Sequence, residues 1–191
     1  MKPLSTLIFA LLSISLNASI NLPTSFNTNF EQTITNDKGK TIEYKGSVYF
    51  QNVKESIADD RGLEQSYTRS LFKWNYSMPT KKEVCTDGSE LLVVDHDLEQ
   101  VSAYYISKGI DIAKVLTKAK LHSKNIYVAQ YDGKQYTIQL DDTQKLHSIA
   151  YYDELDNKVQ IVFKEIHYGK GKLPSKEMQC DYPTEYDVIR G

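Results

Sequence analysis

The most informative stretch of this sequence spans residues 70–101 and reads SLFKWNYSMPTKKEVCTDGSELLVVDHDLEQV. Its first half alternates, with Phe72 and Trp74 followed by further apolar residues at every second position. This period of two predicts a β-strand that has one apolar face. Proline does not continue the interior of a sheet, so Pro79 ends the strand. The Asp-Gly pair at 87–88 then predicts a hairpin turn into an apolar strand.

Segments on both sides of this block show similar strand patterns. Turn-forming residues separate them, which is typical of consecutive antiparallel strands. The polar stretch 52–70 is interpreted either as an exposed loop or as an extension of the flanking strands. The remaining strand candidates are 26–34, 42–50, 91–94, 101–106, 126–131, 136–140, 146–152, 159–168 and a short final one at 177–182.

One segment predicts a helix, because Ile112, Val115, Leu116 and Ala119 follow the i, i+3, i+4, i+7 spacing of an apolar helix face. About ten antiparallel strands with one short helix predict a mainly β fold. We expect a large, bent antiparallel sheet that forms a half-open, incomplete β-barrel with a short α-helical lid. Aromatic side chains around the hollow of such a sheet would make a site for an apolar ligand. A packed sandwich is the alternative.

The first eighteen residues predict a secretory signal peptide. Lys2 precedes an apolar run from Leu4 to Leu16, after which small polar residues follow. The run is shorter than the roughly 20 residues of a membrane-spanning helix. The alternative is an uncleaved anchor or a buried helix. The expected organisation is therefore a signal peptide at 1–18 and a single domain at 19–191.

The sequence contains two cysteines, Cys85 and Cys180. A signal peptide implies an oxidising compartment, in which cysteines commonly form disulfides. We predict a disulfide between them, and the alternative is a pair of buried free thiols. Neither cysteine is flanked by a histidine or by a second cysteine, which argues against a zinc site or a catalytic thiol.

Charge and motifs exclude several classes of function. The formal net charge is −2, and basic runs are absent, which argues against a nucleic-acid-binding protein. Phosphate-binding glycine loops and the G-x-S-x-G motif of hydrolases are also absent. The histidine spacing fits no local metal site, so we expect neither a metal nor a cofactor. Carboxylates that converge only in the fold leave an enzyme as an open alternative.

Residues 70–101 resemble the family of the periplasmic lipoprotein carrier LolA. That family has a phenylalanine-x-tryptophan strand, a proline, a serine/threonine-aspartate-glycine turn, an apolar strand and an acidic-leucine-glutamate-glutamine-valine type segment. The residues that match in order and spacing are Phe72, Trp74, Pro79, 86–88 and 98–101, with further similarity at 25–32 and Gly46.

The resemblance implies a half-open antiparallel barrel whose helical lid covers a hollow for the acyl chains of lipoproteins. Such a carrier takes acylated lipoproteins from an inner-membrane ABC-type release complex. It crosses the periplasm and delivers them to an outer-membrane receptor or to the membrane surface. No cofactor, nucleic acid or catalysis is involved, and a monomer is expected.

The resemblance also assigns roles to residues. The family usually has an arginine before the phenylalanine strand that helps to hold the lid closed, and Arg69 is the nearest candidate here; the alternative is a solvated loop residue. For the aromatic residues the alternative is plain core packing. The predicted lid face is Ile112, Val115, Leu116 and Ala119, and the predicted cavity lining is Phe30, Val48, Phe50, Phe72, Trp74, Tyr76, Leu92 and Val94.

Three other functions remain open from the sequence. The same half-barrel would suit a periplasmic lipid-sensing or signalling module, a periplasmic hydrolase, or a passive structural β-domain. Retention of acylated polypeptide distinguishes the carrier from the last two.

Overall fold

The computed structural model describes residue 20 and residues 23–105, 112–169 and 171–190. The predicted signal peptide at 1–18 lies outside these residues, so the division at residue 18 stays a prediction. Within the described ranges, neither helix is long and apolar enough to span a membrane.

The described chain contains strands in one sheet and two short helices. In chain order, the elements are β1 (Ser25–Thr35), β2 (Thr41–Ala58), β3 (Glu64–Met78), β4 (Lys82–Thr86), β5 (Glu90–Asp95), β6 (Gln100–Tyr105), α1 (Ile112–Thr117), β7 (Lys120–Ser123), β8 (Ile126–Tyr131), β9 (Lys134–Leu140), β10 (Leu146–Tyr152), β11 (Lys158–Gly169), α2 (Ser175–Met178) and β12 (Asp187–Arg190).

The 12-stranded sheet has the order β12-β6-β5-β4-β3-β2-β1-β11-β10-β9-β8-β7 and does not close on itself. Each neighbouring pair is antiparallel, except that β12 adds to β6 in parallel. The prediction of a mainly β fold built on a large open sheet with a short helix is confirmed, and the parallel strand β12 is an addition to it.

The pairing of strands decides two predictions, one for residues 52–70 and one for residues 177–182. The stretch 52–70 is a strand extension, since Asn52 to Ala58 pairs with Glu64 to Ser70 in a long two-stranded arm. The predicted strand at 177–182 is wrong. Helix α2 occupies its start, and the last strand is instead β12, whose pairing with β6 depends on contacts remote in sequence.

The main core lies on the concave face of the sheet and beneath α1. Residues that are directly opposite on neighbouring strands share a face, so alternation on β1, β2 and β3 sends one apolar row from each strand inward. Phe30 contacts Trp74 edge-on, with ring centroids 4.8 Å apart. The inward rows include Phe26, Phe30, Val48, Phe50, Trp74, Ile138, Ile149, Val159, Ile161 and Phe163.

A second, smaller apolar cluster lies on the convex face beneath the C-terminal segment 171–186. Lys73 reaches this segment, since its Nζ donates to the Gln179 carbonyl at 2.7 Å and lies 3.0 Å from a Glu83 oxygen. The Cys85–Cys180 disulfide joins the segment to β4. The buried residues here are Cys85, Val94, Val101, Ala103 and Met178.

Gly46 is placed where β2 passes very close to β3, beside an irregularity in their register. A Cβ atom on Gly46 would lie 1.8 Å from the Asn75 carbonyl oxygen and 3.0 Å from the Phe30 ring. Because the nearest atom belongs to the backbone, the strands would have to separate. We expect Gly46→Ala to lower the free energy of unfolding by about 1–3 kcal/mol, measured by urea denaturation.

The matched control is Gly171→Ala, because a Cβ at Gly171 would meet nothing within 4 Å. This control should change stability by less than about 0.5 kcal/mol. Equal unfolding midpoints for the two variants would contradict the close-approach explanation.

Candidate ligand cavity

An apolar cavity lies between the concave face of the sheet and helix α1, and its volume is about 160 Å³. Strand β3 contributes Phe72, Trp74 and Tyr76, all three of which belong to the lining that the resemblance implies. Burial raises the pKa of Tyr76 to about 12, so its hydroxyl stays protonated. The other lining residues are Gln32, Val84, Leu91, Ile112, Val115, Tyr136, Ile149, Tyr151 and Ile161.

Helix α1 closes this cavity with its apolar face, as the spacing of its residues predicts. Val115 and Leu116 are buried, and Ile112 and Val115 line the cavity. Ala119 is also buried, two residues beyond the last residue of the helix. After the helix, the Lys118 Nζ lies 5.1 Å from the centroid of the Tyr131 ring on β8. The helix is therefore positioned mainly by apolar packing.

A wider depression of about 940 Å³ differs in chemistry from this cavity. Many of its lining residues are charged or polar, and Glu31 there pairs with both Lys45 at 3.4 Å and Lys164 at 3.0 Å. An acyl chain in this depression would displace water from ion pairs. The cavity under α1 is the better site for an apolar ligand.

Most of the residues that line the cavity, from Phe72 to Tyr136, fall within a stretch that matches a known family. The family described as Outer membrane lipoprotein carrier protein LolA matches residues 68–145. An outer-membrane lipoprotein carrier protein from Campylobacter jejuni is 31% identical over 166 residues, covering 87% of this chain and 86% of the relative. The chain belongs to the LolA family. This confirms the resemblance carried by residues 70–101.

Other comparisons are consistent with membership of the LolA family. An outer-membrane lipoprotein carrier protein from Wolinella succinogenes is 29% identical over 167 residues, covering 87% of each chain. A solved structure of an uncharacterized conserved protein from Thermus thermophilus aligns with a TM-score of 0.51 at 12% identity, covering 89% of this chain and 92% of that one. At this identity, the structure shows a similar fold only.

Three of the predicted lining residues lie beneath the cavity instead of on its surface. Phe30 packs under Trp74 and Tyr76, with its ring centroid 5.2 Å from that of Tyr76. Val48 is paired opposite Trp74, and Phe50 stacks on Phe26 at 4.9 Å. Phe30, Val48 and Phe50 are thus core residues that support the lining aromatics, which is the alternative that the sequence left open.

The assignment of Leu92 and Val94 to this cavity is wrong. Leu92 is paired opposite Cys85, and Val94 opposite Val101, on the convex face of the sheet. There Leu92 lines a separate groove of about 450 Å³ next to the C-terminal segment. The neighbouring Leu91 lines the cavity instead. The run Leu-Leu-Val-Val does not alternate, so the sequence carried no signal for the face.

The lid-holding role suggested for Arg69 is also wrong. Arg69 lies on the same side of β3 as Lys73, which is the convex side, whereas α1 covers the concave side. Its guanidinium pairs with Glu55 across the arm, and its side chain packs against Gly88. Arg69 therefore contacts the arm and the β4–β5 turn, on the side of the sheet away from α1.

The sequence analysis missed lining residues from the second half of the sheet, where the resemblance to the LolA family was weakest. Ile149, Tyr151 and Ile161 are brought to the cavity by pairing of β10 with β11 and of β11 with β1. Gln32 was also missed, although it left a signal. It is a polar residue at an inward position of β1, among Phe30 and Ile34.

Proposed function

We propose that this protein is a periplasmic carrier that binds the acyl chains of lipoproteins released from the inner membrane and delivers them to the outer membrane. The observation that supports this most directly is the apolar cavity beneath α1, on an open sheet, in a chain of the LolA family. The acyl chains would enter between the helix and the concave face of the sheet.

The energetics of acyl transfer limit how such a carrier works. Burial of an acyl chain contributes about 0.8 kcal/mol per CH₂ group. Two or three long chains therefore represent tens of kcal/mol, which exceeds the affinity that non-covalent binding reaches. We infer that an energy-using donor, an inner-membrane ABC-type release complex, loads the protein, and that the cavity retains cargo weakly enough for release.

The size of the cavity implies that the lid moves when cargo binds. Its volume of about 160 Å³ is below the roughly 300–1,000 Å³ typical of small-molecule sites. Outward displacement of α1 would enlarge it and expose Val115 and Leu116 to the incoming acyl chains. Because these chains replace the apolar contacts that the helix loses, opening is favourable only when cargo is present.

Loading, transport and release each require a partner. Acylated lipoproteins are the cargo, and an outer-membrane receptor or the membrane surface accepts them. The protein acts without a cofactor and without catalysis, as a monomer.

A release assay tests this function. The protein purified from a periplasmic extract is incubated with spheroplasts that hold a triacylated lipoprotein, and the supernatant is analysed by native mass spectrometry. A carrier yields a soluble complex with one intact acylated polypeptide. An unchanged apo mass would overturn the proposal in favour of a sensing module or a structural domain, and free fatty acid would indicate a hydrolase.

A further inference from the structure

The two ends of the cavity under α1 differ in chemistry. Phe72 and Leu91 both lie opposite Thr86, at the end of the cavity near the β4–β5 turn. Both side chains are apolar, so neither offers a hydrogen bond at that end. Along β3 the lining continues through Trp74 to Tyr76, close to the last residue of the strand.

The opposite end of the cavity is polar. Gln32 and Tyr151 lie near the ends of β1 and β10, where the two strands flank the start of β11. The Tyr76 hydroxyl donates to Gln32 Oε1 at 3.1 Å. Tyr76, Gln32 and Tyr151 therefore place an amide and two hydroxyl groups at one end of an otherwise apolar space.

Within the part of the chain that the structure describes, two hydrogen-bond donors at this end have no protein acceptor. Across residues 23–105, 112–169 and 171–190, neither Gln32 Nε2 nor the Tyr151 hydroxyl donates a hydrogen bond, although Gln32 is only 9% exposed. Neither atom is among the fully buried side-chain atoms that lack a partner in the described residues, so both donors are accessible from the cavity. A ligand that brings acceptors would satisfy them.

The charge of the lining selects the kind of acceptor. Burial, with smaller contributions from nearby Tyr76 and Tyr136, raises the pKa of Tyr151, so its hydroxyl remains a donor. Among residues 23–105, 112–169 and 171–190, those that line the cavity include no lysine, arginine or histidine. A carboxylate would be buried there without a cation, which is strongly unfavourable. A neutral carbonyl oxygen fits these donors better.

We propose that Gln32, Tyr76 and Tyr151 form a hydrogen-bonding subsite for the ester or amide carbonyl oxygens that link acyl chains to a lipoprotein. The hydrocarbon then extends from this subsite toward Phe72, Leu91 and Ile112. This assignment rests on the proposed carrier function, and it adds a polar determinant that orients the cargo.

The test compares two probes that differ only in these acceptors. One is a dipalmitoyl-glyceryl-cysteine lipopeptide with two ester carbonyls, and the other is its dialkyl ether analogue. The full protein should bind the ester probe about tenfold more tightly than the ether probe, because each neutral hydrogen bond is worth up to about tenfold in affinity. Displacement of a fluorescent fatty-acid probe reports both dissociation constants.

Substitutions test which side chains cause the preference for the ester probe over the ether probe. In Gln32→Leu, which keeps the side-chain size but removes the amide, the ester-to-ether ratio should fall by at least a few-fold, while ether binding is retained. Leu91→Ala, at the apolar end, should weaken both probes and leave the ratio unchanged. If Gln32→Leu does not fold, Tyr151→Phe removes one donor alone and should lower the ratio by a few-fold.

The outcomes separate the two proposals. Equal binding of both probes by the unmodified protein, or an unchanged ratio in the Gln32 and Tyr151 variants, would overturn the carbonyl subsite only. Failure of the protein to bind either probe would overturn the carrier function together with the subsite.

Discussion

Phe72→Glu is expected to abolish retention of acylated lipoprotein while the protein still folds. Phe72 lines the cavity beneath α1 and is only partly buried, so its replacement removes less core packing than a change at Trp74. The new carboxylate would face apolar side chains, and the lining residues in the described part of the chain include no cation. Burial would raise its pKa, and covering the charge with hydrocarbon would be unfavourable by several kcal/mol.

The measurement is the amount of lipoprotein in the soluble complex after incubation with spheroplasts. We expect the variant to retain less than about one hundredth of the unmodified amount, since several kcal/mol corresponds to at least a hundredfold. Leu155→Glu is the matched control, because Leu155 is 80% exposed and lies outside the lining. Normal retention by Phe72→Glu, with a cooperative urea transition, would place the ligand elsewhere.

Removal of the Cys85–Cys180 disulfide should give the largest loss of stability. The two cysteines are 95 residues apart in sequence, and the chain-entropy model assigns about 4–5 kcal/mol to a loop of this length. The bridge also holds the C-terminal segment, which includes Met178, over Val94 and Val101. We therefore expect the Cys85→Ser, Cys180→Ser double variant to lose about 3–5 kcal/mol in urea denaturation at neutral pH.

The control is the unmodified protein in the presence of a reductant, which should approach the stability of the double variant. Hydrogen exchange distinguishes global from local effects. Faster exchange across 171–186 alone would mean that the segment detaches while the sheet stays folded, and the loss of global stability would then be smaller. An unfolding midpoint equal to that of the oxidised protein would contradict a structural role for the bridge.

The covered convex face shows where sequence patterns lose information. Lys73 alternates with Phe72 and Trp74, which by itself predicts a solvated position. In the structure Lys73 is buried, because the C-terminal segment crosses that side of the sheet. The Lys73 ammonium group donates a hydrogen bond to the Gln179 carbonyl of this segment and pairs with Glu83 on β4. Periodicity assigns a residue to a face, but it does not say what covers the face.

Local chemistry in the sequence was sufficient for most of the strands, for the helical lid and for the family. Alternation in β3, the stop at Pro79 and the spacing of Ile112, Val115 and Leu116 each depend on residues within about one turn or one strand. For the same reason, the sequence alone identified Phe72, Trp74 and Tyr76 as cavity residues and identified the resemblance to lipoprotein carriers.

Only the tertiary structure decided which residues meet at the cavity and which do not. Strand register assigned Leu91 to the cavity and Leu92 to the convex face, because a shift of one residue reverses every side chain. Pairing of β1 with β11, more than 120 residues apart, brought Gln32 near Tyr151. The long arm carried Arg69 away from the lid. Each of these outcomes depends on hydrogen bonds between distant strands, and the local pattern of residues does not encode them.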